Sequence, residues 1–145
     1  MADLDMRLAR GGAAVRAADV LLRSVGGRAV LLRVPAPGVA GDASGELGLA
    51  VPGFEDMELA PVVYRRVRAR GGTKATRWEL LVSATAVRGL VGSLGYSAAS
   101  VLFATAYGVL VDGVLMEVES ATESELGGVP YVYRLVLRVP AAVAI

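Results

Sequence analysis

The stretch Val129-Pro-Tyr-Val-Tyr-Arg-Leu-Val-Leu-Arg-Val139, near the end of the chain, is the strongest indication of the fold. Every odd position in it is apolar, whereas Arg134 and Arg138 occupy even positions. A period of two is typical of a β-strand that buries one face. Because a strand this regular needs neighbours, the sequence predicts a sheet whose other strands lie earlier in the chain.

Three earlier parts of the chain supply those neighbours. A first strand is predicted at 28–34 and is stopped by prolines. Strands at 62–70 and 75–84 form an antiparallel hairpin with Gly71-Gly72-Thr73 as its turn, and a further apolar piece, 54–62, leads into it. Asp112-Gly113 lies between two apolar runs and predicts a second hairpin, followed by a turn at 123–128.

Helices are predicted in three places. Residues 3–25 carry an apolar stripe at steps of three and four, with a break or kink at Gly11-Gly12 because glycine disfavours a helix interior. This helix either packs on the sheet or forms an arm that packs on a neighbouring subunit. A short helical turn at 85–91 is capped by Ser83 or Thr85. A short second helix is preferred at 97–106, and a strand at 101–107 is the alternative. The stripe of the first helix comprises Leu4, Leu8, Gly11, Val15, Ala18, Leu22 and Val25.

These elements predict a mainly β protein. We expect a small antiparallel β-barrel or sandwich with an N-terminal α-helix, a short second helix and a long loop at about 36–53. The 145 residues form one domain, 1–145, large enough to bury a real core.

Composition argues against an enzyme. The chain has no histidine and no cysteine, so the commonest general base, the commonest metal ligand and the thiolate are missing. We interpret the carboxylate clusters at 55–58 and 117–125 as surfaces that face solvent or bind a partner, and not as catalytic pairs. We therefore expect no catalytic, cofactor-binding or metal site and no cofactor. The apolar run 97–111 is too short to span a membrane, and charges from Asp3 onward argue against a signal peptide.

Charge is segregated along the chain. Acidic residues alone occur between Arg33 and Arg65, basic ones alone from Arg65 to Arg77, and acidic ones alone from Asp112 to Glu125. Such blocks are ordinary solvated hairpin ends, surfaces that match a copy of the chain or a partner, or a DNA-contacting patch. The candidate interaction residues are Asp42, Glu46, Glu55, Asp56, Glu58, Arg65, Arg66, Arg68, Arg70, Arg77, Glu117, Glu119, Arg134 and Arg138. Arg134 and Arg138 pair either with Glu117 and Glu119 of the same subunit or with the acidic block of a neighbouring subunit, and we expect the neighbour.

The order of four segments resembles a known family. They are Phe54-Glu-Asp-Met-Glu-Leu-Ala-Pro-Val-Val, the hairpin strand ending Glu79-Leu-Leu-Val-Ser-Ala-Thr-Ala-Val, Gly108-Val-Leu-Val-Asp-Gly-Val-Leu-Met-Glu-Val-Glu-Ser, and Gly128-Val-Pro-Tyr-Val-Tyr-Arg-Leu-Val-Leu-Arg. Over roughly residues 50–139 this order is similar to the neck proteins of tailed bacteriophages and gene-transfer particles, in the head–tail stopper or head-closure group. The N-terminal helix is longer than that resemblance implies.

The resemblance implies a non-enzymatic virion protein of the neck or tail region, assembled in the host cytoplasm. It implies a homo-oligomeric ring of about six or twelve copies. The portal or adaptor ring lies above it and a tail terminator or tail tube below. The loop at 36–53 corresponds to the family's channel loop, which helps to retain packaged DNA and contacts it non-specifically. No membrane is involved. The alternatives are a tail terminator or other tail component, or a soluble β-barrel nucleic-acid-binding module.

Overall fold

The computed structural model describes residues 2–36, 53–67 and 77–139 of the chain. This part is mainly β, as predicted, with an N-terminal helix and two further short helices. In chain order the elements are α1 (Ala2–Ser24), β1 (Arg28–Pro35), β2 (Phe54–Val67), β3 (Arg77–Ser83), α2 (Ala84–Leu94), α3 (Ala99–Thr105), β4 (Gly108–Val111), β5 (Val114–Leu126) and β6 (Val129–Arg138).

The six strands close into an antiparallel barrel in the order β1-β2-β3-β6-β5-β4. The pieces predicted at 54–62 and 62–70 are a single strand, β2. Its first part pairs with β1 and its last part with β3, and Val62 faces both Arg28 and Val82. A long strand that changes partner in this way lets a short sheet curl and close. The predicted barrel is therefore confirmed.

The antiparallel connections define two ends of the barrel. The β5–β6 turn at Gly127-Gly128 and the β1–β2 connection lie at one end, which we call the Gly127 end. The β4–β5 turn at Asp112-Gly113 and the β2–β3 connection lie at the other, the Asp112 end. The ends of the β1–β2 connection meet, because the Ala36 N–H donates a 3.0 Å hydrogen bond to the Gly53 carbonyl. The rest of the loop predicted at 36–53, and the turn predicted at Gly71-Gly72-Thr73, lie outside the described residues.

Side chains fill the interior of the barrel. The odd-numbered face of β6 points inward as predicted, and Leu135 and Leu137 are fully buried. Near the Asp112 end, the rings of Tyr64 and Trp78 stack with centroids 4.6 Å apart. Small barrels are commonly filled in this way, so the barrel itself is a packed core and not a pore. The other fully buried large aliphatic side chains include Leu32, Leu59, Leu80 and Leu102.

Helix α1 is continuous, so the predicted break at Gly11-Gly12 is wrong. The reason is packing. A Cβ atom added at Gly11 would lie 2.5 Å from Cγ2 of Val129 and 2.8 Å from the Leu126 carbonyl oxygen. Glycine at this position therefore lets the helix lie directly on the β5–β6 turn, and the contact compensates for its low helix propensity.

The short helices follow their predicted signals. The Ser83 hydroxyl caps α2 by accepting a hydrogen bond from the Ala86 N–H, and Gly95 ends the helix in the left-handed conformation. Residues 99–105 form a helix, which confirms the preferred prediction over the strand alternative. No single described helix is long and apolar enough to cross a membrane. Helices α2 and α3 reach that length together only as a pair bent by 76°.

Of the two predicted turns after α3, one is confirmed and one is corrected. Asp112-Gly113 forms the β4–β5 turn with positive φ at both positions, as a type I′ hairpin requires. The turn predicted at 123–128 is shorter, because β5 continues to Leu126 and only Gly127-Gly128 turn. The polar run 120–126 forms a strand because β6 pairs with it throughout.

Candidate interaction surfaces

A buried carboxylate on the barrel wall was missed by sequence reasoning. Glu79 on β3 is only 1% exposed. Arg65 Nη2 of β2 lies 2.6 Å from one of its oxygens, and Arg134 Nε of β6 lies 2.5 Å from the other. Arg65 is directly opposite Glu79 in the strand register. The two guanidinium groups therefore both neutralise the carboxylate and cover it.

Two further ion pairs stand next to this cluster, at the Asp112 end. Arg77 binds Glu119 with both nitrogens, at 2.7 and 3.0 Å, and Arg138 donates to Glu117 at 2.5 Å. The hydrogen bond from Arg77 lowers the pKa of Glu119, against a smaller opposing effect of desolvation. Arg77 and Arg138 are opposite each other in the register, so the four charges form one patch across three strands.

These contacts correct one prediction. Arg134 and Arg138 were expected to pair with the acidic block of a neighbouring subunit. Both pair within their own chain, Arg134 with Glu79 and Arg138 with Glu117. The separation in sequence is bridged because β6 lies between β3 and β5 in the barrel.

Of the three acidic residues of β2 (Glu55, Asp56 and Glu58), Asp56 forms an ion pair with an arginine. Asp56 accepts hydrogen bonds from Arg33 at 2.9 and 3.1 Å, which lower its pKa, and the Arg33 guanidinium lies 3.9 Å from the ring centre of Phe54. Glu55 and Glu58 are exposed on the same strand. At the Asp112 end, Arg28 pairs with Asp112.

The remaining predicted residues divide into two groups. Arg66 lies beside Trp78, with its guanidinium carbon 6.0 Å from the ring centre. The residues Asp42, Glu46, Arg68 and Arg70 lie outside the described residues. The structure therefore brings most of the described candidates together in pairs, and Arg65, Arg77, Arg134 and Arg138 each have an acidic partner.

The outer half of β5 is a different environment. Residues 120–126 are all exposed. Glu123 and Glu125 approach each other closely enough that their hydrogen bond raises the pKa of Glu125. Glu123 also faces Tyr133 across the strand pair. Burial, and then the charge of Glu123, raise the pKa of Tyr133, and Arg88 opposes this weakly.

A cleft of about 450 Å³ lies beside this half of β5. On one side is α3, with Ser100 and Phe103, and on the other is the strand. The strand contributes three consecutive residues, 121–123. Because consecutive strand residues point to opposite faces, three in a row can line one cleft only if the cleft meets the edge of the strand. Tyr133 lines the same cleft.

The start of α1 forms a second exposed surface. Leu4, Met6 and Leu8 are 59%, 54% and 52% exposed. Leu4 and Leu8 belong to the apolar stripe that is buried further along the helix at Val15 and Leu22. The stripe is therefore longer than the barrel surface that covers it. We call residues 3–8 the helix arm.

In residues 2–36, 53–67 and 77–139, no group of three or more acidic side chains could hold a metal ion. The arrangement is suited to binding through charge, strand edge and apolar contact. No protein-family model, no curated protein and no solved structure matches this chain significantly.

Proposed function

We propose that this chain is a non-enzymatic structural subunit of a ring-forming head–tail connector, of the stopper or head-closure kind. In this role it would join the portal or adaptor ring to the tail of a phage-like particle and help to retain packaged DNA. The sequence resemblance suggests this role. The six-stranded barrel with an N-terminal helix is consistent with the fold that the resemblance implies.

The helix arm is the observation that carries the proposal. A stripe of apolar side chains that continues past the surface it covers needs a further partner. Leu4 and Leu8 would gain about 1 kcal/mol each if a neighbouring molecule covered their exposed halves. A ring repeats such a contact between every pair of neighbouring subunits, so weak contacts are enough to close it.

The filled interior of the barrel also bears on the proposal. Because side chains occupy the barrel, DNA would pass through a channel enclosed by several subunits, and not through any single barrel. The β1–β2 connection, which the resemblance relates to the channel loop, leaves at the Gly127 end, where the helix arm also lies.

Self-assembly tests this proposal. We expect mass photometry and negative-stain images to show ring-shaped oligomers of the purified chain. Leu4→Ser with Leu8→Ser should shift the population towards smaller species. The matched control is Val20→Ser with Leu21→Ser, since these side chains of the same helix are equally exposed, at 61% and 63%.

Two outcomes would contradict the proposal. One is a wild-type chain that remains monomeric across the concentration range and after chemical crosslinking. The other is salt-sensitive DNA binding by the monomer that is lost when Arg68 and Arg70 become Glu, which would favour the nucleic-acid-binding alternative. A chain that caps isolated tail tubes and forms no ring with portal would instead favour a tail terminator.

A further inference from the structure

The outer half of β5 has one free edge. From Glu117 to Leu126 the strand pairs with β6 on one side. Strand β4 pairs only with residues 114–116 on the other side, and no other described strand continues it. A strand edge without a partner presents backbone N–H and C=O groups that another chain can pair with.

The cleft beside α3 gives this edge room for an added segment. It runs between Ser100 of α3 and residues 121–123 of β5. The aromatic rings of Phe103 and Tyr133 line it, with centroids 5.9 Å apart. An extended segment placed here would pair its backbone with β5 and bring alternate side chains against these rings.

Charge indicates what that segment carries. Glu117 and Glu119, nearer the Asp112 end of the same strand, each have an arginine partner. Glu123 and Glu125 have no basic partner in the described part of the chain and approach each other instead. A lysine or arginine brought in by a docking segment would relieve this repulsion.

The chain itself contains such a segment. All charged residues from Arg65 to Arg77 are basic, and Arg68, Arg70 and Lys74 fall between β2 and β3 in sequence. That connection leaves at the Asp112 end, beside Arg77 and Arg138. Tyr133, opposite Glu123, is five residues along β6 from Arg138, or about 17 Å at about 3.4 Å per residue. Glu123 and Glu125 therefore lie towards the opposite end of the barrel from the point where this connection leaves β2.

We propose that the free edge of β5, with its cleft, is the docking site for a second copy of this chain, which contributes the basic segment between its β2 and β3. Two different surfaces make this contact, so it is heterologous and propagates from copy to copy into a closed ring. The inference rests on the proposed function, because it names the contact by which ring subunits meet. It uses residues separate from the helix arm.

Charge exchange between copies tests this inference. One variant carries Glu123→Arg and Glu125→Arg, and the other carries Arg68→Glu, Arg70→Glu and Lys74→Glu. Each variant alone should raise the midpoint concentration for assembly at least tenfold, because like charges then meet at every contact. An equimolar mixture of the two should recover assembly, since each altered edge then meets an altered segment of opposite charge.

The matched control is Arg16→Glu with Arg23→Glu, which makes the same charge reversal on two exposed arginines of α1. It should leave the assembly midpoint unchanged. Circular dichroism and thermal unfolding would verify that each variant is folded. In wild-type oligomers, hydrogen–deuterium exchange should show protection of amides in residues 118–126 relative to the dilute monomer.

The outcomes separate the inference from the proposed function. If wild type forms rings and both charge variants do so equally well, the inference is wrong and the proposed function stands. If the variants fail to assemble but their mixture does not recover, the basic segment of a second copy is not the occupant. A wild-type chain that never assembles contradicts both.

Discussion

The two halves of β5 have similar side chains and opposite surroundings. Residues 114–119 begin between two strands, and their acidic residues Glu117 and Glu119 bind arginines. Residues 120–126 have a strand on one side only, and Glu123 and Glu125 meet each other. The pKa of Glu119 is lowered and that of Glu125 is raised. Both glutamate pairs lie where β5 has only β6 beside it, so the difference between them comes from Arg77 and Arg138, which neutralise the pair at the Asp112 end.

The largest expected effect concerns the neutralised wall around Glu79. Replacing Arg65 and Arg134 together by Met should destabilise the fold by about 3–5 kcal/mol, because it keeps the carboxylate covered but removes both cations. Replacing both by Ala should cost less, since water then reaches Glu79. Urea denaturation of the two double variants measures the difference.

A third variant serves as the control for that prediction. Adding Glu79→Leu to the double Met variant should recover much of the lost stability, because an apolar side chain then replaces the unpaired charge. A smaller loss of stability for the Met variant than for the Ala variant would show that covering, and not charge, is what the arginines supply.

The next largest effect concerns the close contact between α1 and the β5–β6 turn. Gly11→Ala should destabilise the protein by about 1–3 kcal/mol, because its methyl group would overlap Val129 and the Leu126 carbonyl. Gly12→Ala is the matched control. Its nearest neighbour is the Arg16 guanidinium at 3.5 Å, so it should stabilise the helix by up to about 1 kcal/mol. If thermal unfolding shows the same sign for both, the close contact at Gly11 does not exist in solution.

The smallest effect is the pH dependence of the two halves. In a carbon-13 NMR titration of the glutamate carboxyl groups, Glu119 should titrate below the ordinary glutamate range and Glu125 above it. Arg77→Ala should raise the pKa of Glu119 and leave that of Glu125 in place. Movement of both by that single change would mean that the halves are electrostatically coupled.

Stability should follow the same signs. The folded state holds the Glu125 proton more tightly than the unfolded chain does, so this contribution is complete at acid pH and is lost as pH rises through the raised pKa. Glu119 contributes the opposite dependence, and its stabilisation is lost as pH falls through its lowered pKa. Glu125→Gln should therefore gain stability relative to wild type as pH rises from about 4 to 7. Glu123 and Tyr133 interact electrostatically with this carboxyl group, and Arg88 acts on Tyr133.

The local patterns in the sequence were sufficient for most of the fold. The period of two in β6, the Asp112-Gly113 turn and the cap of α2 depend on neighbouring residues. The first two were predicted, and Ser83 was one of the two caps that the sequence allowed. The course of α1 through Gly11 was not, because the reason for that glycine is Val129, more than a hundred residues away. Propensity alone argues for a break there, and tertiary packing overrides it.

The interaction surfaces were harder to predict for the same reason. Charge blocks are visible in the sequence, but which charges meet depends on strand order, and β6 lies between β3 and β5. Glu79 alternates with apolar residues and looks like an ordinary exposed position until Arg65 and Arg134 are placed on either side. Glu123 and Glu125 stand out only once the free edge is known.

The hydrogen bond between Ala36 and Gly53 has a practical consequence for protein engineering. Since the hydrogen bond and the β1–β2 register hold the two strands together at that point, we expect a change in the length of chain between them to cost little closure entropy. A fluorescent protein, an affinity tag or a shortened two-residue turn introduced there should leave the barrel foldable. Insertions at that position therefore test the folding of the barrel separately from the chain that connects the two strands.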